Sequence, residues 1–567
     1  MPLSKIVIPA SLAVLLFAGC GGTEKTADTT ADAGAKKGGV LTVPWSGDVD
    51  SIDPGVTYYS GGYMVANATQ RTPMAYAPGK SEARPDLAVA APAVSADGKT
   101  VTVQLKSGVK FSPPVAREVV ADDLKYAIER GFFKTVNNPY AGSYFGDIVG
   151  AKVGAAAGTK IAGITTPDAH TVVFQLSRAT GGTLAAALVL PLAAPVPRDY
   201  ATPLDAEKVS EYGVKQVATG PYMVETYKPG TEITLVRNPS WDAKTDFRPA
   251  YLDRIEMPQG NDDATIAARR VLEGQSMVSG DWLLPPAVLK KAYENTPDQL
   301  ELVDSGGGRW AALNTKVAPF DDVNVRKAVL ASYDRQAALL ALGGKAVGSV
   351  ATHFLPPGTP GFEQAGGEAG TGVDFLASPT GDKAVAARYL QAAGFASGKY
   401  EGAEIMMVGP RDGNGKTISE LAKGAFEAIG FKVNLRLLSQ QVVMTKYCGN
   451  PAAAVAVCPN VGWVRDFADG QTYLDATFNG ENIHPVGNAN VSQLDDPAVN
   501  AAIDAAKTET DPAARAQKWG DVDRAITALA PAVPLTWDRV PMAHSKNVAA
   551  VANESLGVWD FGFTSLR

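Results

Sequence analysis

The chain has 567 residues, 52 basic and 59 acidic side chains and a formal charge of −7. That length exceeds what one hydrophobic core supports and predicts two or three domains. Mild acidity with evenly scattered charge excludes a nucleic-acid partner, which would require a basic face, and a hydrophobic share of 46% is ordinary for a globular protein.

In chain order, the first signal is a sparse positive segment at Lys5 followed by an apolar run from Ile6 to Phe17. A bilayer span needs about 20 apolar residues, so this run suits the core of a secretory signal peptide over residues 1–19. It ends in Leu16-Phe17-Ala18-Gly19-Cys20, which resembles the lipobox of bacterial lipoproteins, with Phe17 where Leu is usual. The resemblance implies acylation of Cys20 and an anchor on the outer face of the cytoplasmic membrane. Residues 21–38 are Thr, Ala, Asp, Glu, Gly and Lys without a large apolar side chain, the composition of a flexible tether. Later apolar stretches are too short or, as at Leu184–Val196, interrupted by proline, so the folded part is expected to be soluble.

Thr100 to Lys106 alternates polar and apolar residues and predicts a half-buried strand. Residues 122–132 put Leu124, Ala127, Ile128 and Phe132 on one helical face. Residues 222–227 and 232–237 read as paired strands, and Lys228-Pro229-Gly230-Thr231 between them fits a type II turn. Asp321 or Asp322 is placed to cap a helix carrying Val325, Ala328 and Val329 inward. Residues 404–408, 418–429 and 431–437 form a strand–helix–strand rhythm that implies a partly parallel sheet. There is no internal repeat.

Three cysteines occur, at 20, 448 and 458. In an oxidising compartment the last two most simply form a disulfide. A metal pair is the rival, but His170, His353, His484 and His544 all lie away from them. Residues 409–417 sit between strand and helix and invite a phosphate-loop reading. That motif needs four residues between its first Gly and Gly-Lys-Thr; here Gly409 and Gly415-Lys416-Thr417 leave one too many, and a glycine-rich turn is expected instead. No Gly-x-Ser-x-Gly elbow and no His-Glu-x-x-His zinc motif occurs.

Several segments taken together resemble the extracellular solute-binding protein family 5, the dipeptide- and oligopeptide-binding lipoproteins of ABC importers. They are Ser51-Ile52-Asp53-Pro54, Leu87 through Phe111, Thr219-Gly220-Pro221-Tyr222, Arg237-Asn238-Pro239 and Tyr251-Leu252-Asp253. Asn314-Thr315, Pro319-Phe320-Asp321-Asp322, Val325-Arg326, Asp334-Arg335 and Gly462-Trp463 with Asp466 follow in family order. Two departures stand out: Ser112-Pro113-Pro114 replaces Ser-Asp-Gly, and Val120 replaces a Thr helix cap, a change worth about 1 kcal/mol.

The resemblance implies an α/β, two-lobed periplasmic-binding-protein-like fold with mixed sheets, a hinge and an extra α+β domain on the first lobe. Residues 39–72, 180–262 and 533–567 would build lobe I, 73–179 the extra domain and 263–532 lobe II. It implies a monomeric binding protein rather than an enzyme, without cofactor or metal, that captures peptide between the lobes and delivers it to the permease subunits. Asp466 would pair with the ligand's α-ammonium group, with Trp463, Arg465, Tyr58 and Tyr59 also lining the ligand site. Other roles for these residues are capping of a helix near Gly470 or pairing with Arg465 for Asp466, and plain packing for the aromatics. The same family also carries oligosaccharides and nickel chelates, and a secreted hydrolase with dispersed residues is the remaining alternative.

Overall fold

Strict alternation shapes the first sheet: Ile255 and Met257 are buried while Arg254 and Glu256 between them are not. A computed structural model describes residues 35–411, 413–485 and 487–567. The expected signal peptide, Cys20 and the tether up to residue 34 lie outside the described residues. Arg254–Pro258 pairs in parallel with Val40–Thr42 and antiparallel with Glu232–Arg237, which pairs with Tyr222–Lys228 across the Pro229-Gly230 turn. Gly230 takes a φ of 70°, as the type II turn demands. Trp45, Tyr222, Leu235, Trp559 and Phe561 fill the core against this sheet, so both early and final residues of the chain belong to the first lobe.

A second, antiparallel sheet orders Ala93–Val94, Thr100–Gln104, Thr171–Gln175 and Ile164–Thr165. Its inward residues Val101, Val103, Val172 and Phe174 pack on Leu124 and Ile128 of the helix Ala121–Gly131. The predicted weak cap at Val120 is offset: Asp123 accepts the Val120 amide at 2.9 Å and is clasped by Arg117. This core extends past residue 179 to Leu184–Ala193 and Val217. Arg130 ties it to the first lobe through fully buried bonds to Asp53 and Asp205.

The second lobe is a six-stranded mixed sheet ordered Gly348–Val350, Ala532–Ala543, Leu300–Leu313, Val457–Val464, Ile405–Pro410 and Val433–Leu438. Ile405–Pro410 and Val433–Leu438 run parallel, joined by the helix Gly413–Ala428. That helix begins inside the glycine-rich segment, leaving a shorter turn than the sequence suggests. Asp322 is the cap of the helix Val323–Ser332, accepting the Asn324 amide at 2.7 Å.

Leu300–Leu313 and Ala532–Ala543 are long enough to serve both lobes. Val303 and Met542 sit in the first-lobe core, whereas Trp310, Ala311, Ala532 and Leu535 sit in the second. The pair is irregular between Asp304 and Gly307, where Gly306 has φ +64°. Chain crossings of this form let a few backbone angles reorient two rigid bodies. Residues 264–299, expected in lobe II, also pack with the first: Met277 bridges Thr42 and Val278 joins the first-lobe core, while Ala268 and Leu289 pack with both Ala543 and Ala346. Short apolar helices carry no sequence sign of which lobe they will cover.

Candidate functional site

The site grows from the end of the strand Val457–Val464. Trp463 and Val464 pair with Gly308 and Gly307 of the crossing strand, and the Arg465 amide makes a last bond to the Gly306 carbonyl at 3.1 Å. Beyond it the chain leaves the sheet and runs along the first lobe and extra domain. Cys448 and Cys458 are joined in a disulfide with Cα atoms 6.0 Å apart, tying the start of this strand to the preceding helical segment.

A cavity of about 640 Å³ lies beside this exit. All five ligand-site residues read from the sequence line it: Tyr58 and Tyr59 from the first lobe, and Trp463, Arg465 and Asp466 from the second. Tyr59 is 69% exposed, a large apolar ring offered to solvent. Trp463 is fixed by its indole N–H, which donates to the Thr472 carbonyl at 2.8 Å, leaving its face as a wall.

Asp466 is the unusual group. Its Oδ2 accepts a short hydrogen bond from the Tyr144 hydroxyl, and Tyr58 supports the carboxylate in the same way. No described cation pairs with it. Burial pushes its carboxyl above the ordinary range, only partly opposed by the two phenols. The phenols are pushed up in turn by burial and by the adjacent carboxylate, so they remain donors. Both other roles weighed for Asp466 fall elsewhere. Asp469 accepts the Gln471 amide at 2.8 Å and pairs with Arg515 at 2.6 Å, while Arg465 bonds Thr359 at 2.9 Å.

Neighbouring residues lock this segment across the interface. Phe467, 1% exposed, is buried in the extra domain's core, edge-on to Tyr144 at 4.9 Å. The Ala468 amide donates to the Tyr76 hydroxyl at 2.9 Å, and Thr183 donates to Gln471 at 2.6 Å. The lobes therefore meet around the carboxylate itself.

Sequence reasoning missed the opposite wall. Arg309 and Asp538 form an ion pair of 2.9 Å there, with Thr536 donating to Asp538 at 2.8 Å. Their partnership joins the two crossing strands, and nothing local in either strand announces it. Tyr63 was missed too, although its place one turn after Tyr59 on the helix Ser60–Thr69 was a usable signal.

With this geometry in hand, comparison with known proteins is decisive. The model of the bacterial extracellular solute-binding proteins, family 5 Middle, matches residues 82–485. The chain belongs to this family. Among curated relatives, Di/tripeptide-binding protein 3 of Pseudomonas aeruginosa is 26% identical over 469 residues, covering 80% of this chain and 81% of its own. Heme-binding protein A of Haemophilus influenzae is 24% identical over 97% of this chain and 95% of its own. Among solved structures, Clavulanic acid biosynthesis oligopeptide binding protein 2 superposes with a TM-score of 0.82 at 27% identity, over 95% of this chain and 99% of that one. The fold of this family-5 protein is thus that of the two-lobed periplasmic peptide-binding proteins, and its relatives are binding proteins rather than enzymes. Among the described residues, no helix is long and apolar enough to cross a membrane.

Proposed function

We propose that this chain is the lipid-anchored, extracytoplasmic binding component of an ABC importer, and that its cargo is a peptide with a free N-terminus. One observation carries the reading: a half-buried carboxylate, Asp466, faces an interlobe cavity without a cationic partner among the described residues. An α-ammonium group is the complement, since a desolvated charge left unpaired costs several kcal/mol. Relatives named for di- and tripeptide binding support the same cargo.

The mechanism follows from the two crossing strands. Ligand bound to the second-lobe wall at Trp463 and Asp466 is covered by Tyr58 and Tyr59 of the first lobe as the lobes meet. Closure favoured by ligand is a shift between two states, and a permease can read the closed shape. A nickel chelate would favour arginine and histidine; among the described residues Arg309 and Arg465 line the cavity, and no histidine does. Acylation of Cys20 would keep the protein at the membrane; Cys20→Ala should abolish fatty-acid labelling, and persistent labelling would remove the anchor from this account.

Native mass spectrometry of gently purified protein tests the cargo directly. The expected result is a co-purified peptide that is released unchanged on denaturation. A sugar or chelate mass, or a cleaved product accumulating with time, would replace this reading.

A further inference from the structure

A small sheet of the first lobe joins the early and the final residues of the chain. The Lys36 amide donates to the Leu566 carbonyl at 3.0 Å, Leu566 pairs with Val548, and the Arg567 amide donates to the Asn547 carbonyl at 2.8 Å. Lys36 and Lys37 are thereby brought to one end of this ribbon with Lys546 and Arg567, their distant neighbours in sequence. All four side chains are exposed, and none meets an acid among the described residues. Asp253, which stands beside Gly38, is already spent on Arg237 at 3.0 Å and on the Gly39 amide at 3.1 Å. Even with one charge deducted for a carboxylate at Arg567, the ribbon keeps a positive excess on a chain of formal charge −7. The Arg567 charge also reaches inward: it adds to the burial that lowers the His544 pKa, against the Ser545 carbonyl. A cavity of about 500 Å³ adjoins the ribbon, lined by Ala35, Arg567 and the half-buried rings of Phe247, Tyr251 and Phe563. The Phe247 and Phe563 rings are 5.9 Å apart, and the Arg84 guanidinium lies over Phe247 at 4.4 Å.

We propose that this basic, aromatic-edged end of the first lobe rests on anionic lipid headgroups. The proposal rests on the anchored reading of Cys20 and goes beyond it. Residues 21–34 separate Cys20 from the ribbon, and a flexible segment of that length has a root-mean-square reach of about 20 Å. The ribbon is therefore kept within two or so Debye lengths of the bilayer, each about 8–10 Å. At an anionic surface each lysine or arginine adds about fivefold in affinity, and clusters of about four to eight mark lipid-binding segments. Aromatic rings beside such cations suit the boundary between headgroups and acyl chains. An acyl anchor alone holds the chain at the membrane without orienting it. The basic ribbon decides which face looks at the lipid, so the first lobe stays fixed while the second moves on the crossing strands. The patch is invisible in the sequence because its cations come from opposite ends of the chain.

The test uses the mature chain from residue 20 carrying Cys20→Ala, so that no acyl chain masks a weak contact. It is mixed with sucrose-loaded vesicles of phosphatidylcholine, alone or in equal parts with phosphatidylglycerol. Sedimentation should show partition onto the mixed vesicles stronger by about tenfold or more, and high salt should abolish the difference. Replacing Lys36, Lys37, Lys546 and Arg567 together by Gln should reduce that partition to the phosphatidylcholine level. It should not lower Tm, since no described acid loses a partner. The four single substitutions, each expected to cost about fivefold, keep the test open should the combined variant fail to fold. Lys416→Gln with Lys423→Gln removes two cations from the helix Gly413–Ala428 of the second lobe and should leave partition unchanged. Equal partition onto both vesicles, or a preference kept by the combined variant, overturns the proposal. A preference that emerges only when Glu24, Asp28 and Asp32 are neutralised means that the chain's own acids occupy the patch, and overturns it as well. Fatty-acid labelling of the wild type separates the two claims. Labelling without a lipid preference removes the patch and leaves the anchor; a preference without labelling removes the anchor and leaves the patch.

Discussion

Within a few residues of one another, the segment after Val464 carries two acidic groups with opposite fates. Asp469 is buried and complete: Arg515 grips both its oxygens, at 2.6 and 3.0 Å, and the Gln471 amide adds a third bond. Asp466 is half-buried and incomplete, held by phenols and facing a cavity. The difference teaches how to separate scaffold from site when both contain buried charge. A compensated pair loses stability when one member is removed, whereas an uncompensated charge is a standing cost that only an incoming ligand offsets.

Breaking the complete pair should give the largest effect. Asp469→Ala leaves Arg515 buried and unpaired, and denaturant unfolding should show a loss of about 3–5 kcal/mol. Asp466→Ala should behave in the opposite way, costing about 2–5 kcal/mol of binding to a free-amine peptide with no comparable loss in unfolding free energy. If both variants destabilise the free protein equally, the comparison fails. Replacing Cys448 and Cys458 together by serine should lower stability by about 2–3 kcal/mol, with a smaller change in affinity, because the bridge stiffens the strand without supplying charge.

The smallest effect is the dependence on pH. Because burial raises the Asp466 pKa, folding favours its protonated form. That contribution to stability is fully present below the unfolded pKa and is lost as pH rises through the folded one. Ammonium binding has the reverse preference, since it needs the carboxylate. Affinity should therefore fall as pH drops through the raised pKa, by up to about tenfold per unit, starting above the ordinary carboxylate range near about 3.9. Calorimetry in two buffers of different ionisation enthalpy should detect proton release on binding in that window. No proton release there would mean that Asp466 is already ionised and compensated.

Much of this was legible in the sequence, because local rules govern it. Alternation placed Val101 and Val103, Pro229-Gly230 marked its turn, and Asp322 sat where a helix needs a cap. The strand end at the candidate site was reached through the family resemblance of Gly462-Trp463 with Asp466, not through a local rule. What stayed hidden depends on distant partners. The sequence singles out Asp466 only through the family resemblance, and the different surroundings of Asp466 and Asp469 come from Tyr144 and Arg515, which approach from elsewhere in the chain. The Arg309–Asp538 pair likewise requires the two crossing strands to be laid side by side. The packing of residues 264–299 on the first-lobe core was hidden for the same reason, since a short amphipathic helix declares an apolar face but not the surface it will cover.

The central claim is that Asp466 is held unpaired for the ligand's amine. Dissociation constants of a short peptide and its N-acetyl counterpart, measured against wild type and Asp466→Asn, test it most directly. The account predicts that acetylation weakens wild-type binding tenfold or more and changes the variant's affinity little, because both alterations remove one interaction. Equal losses from acetylation in the two proteins would contradict it.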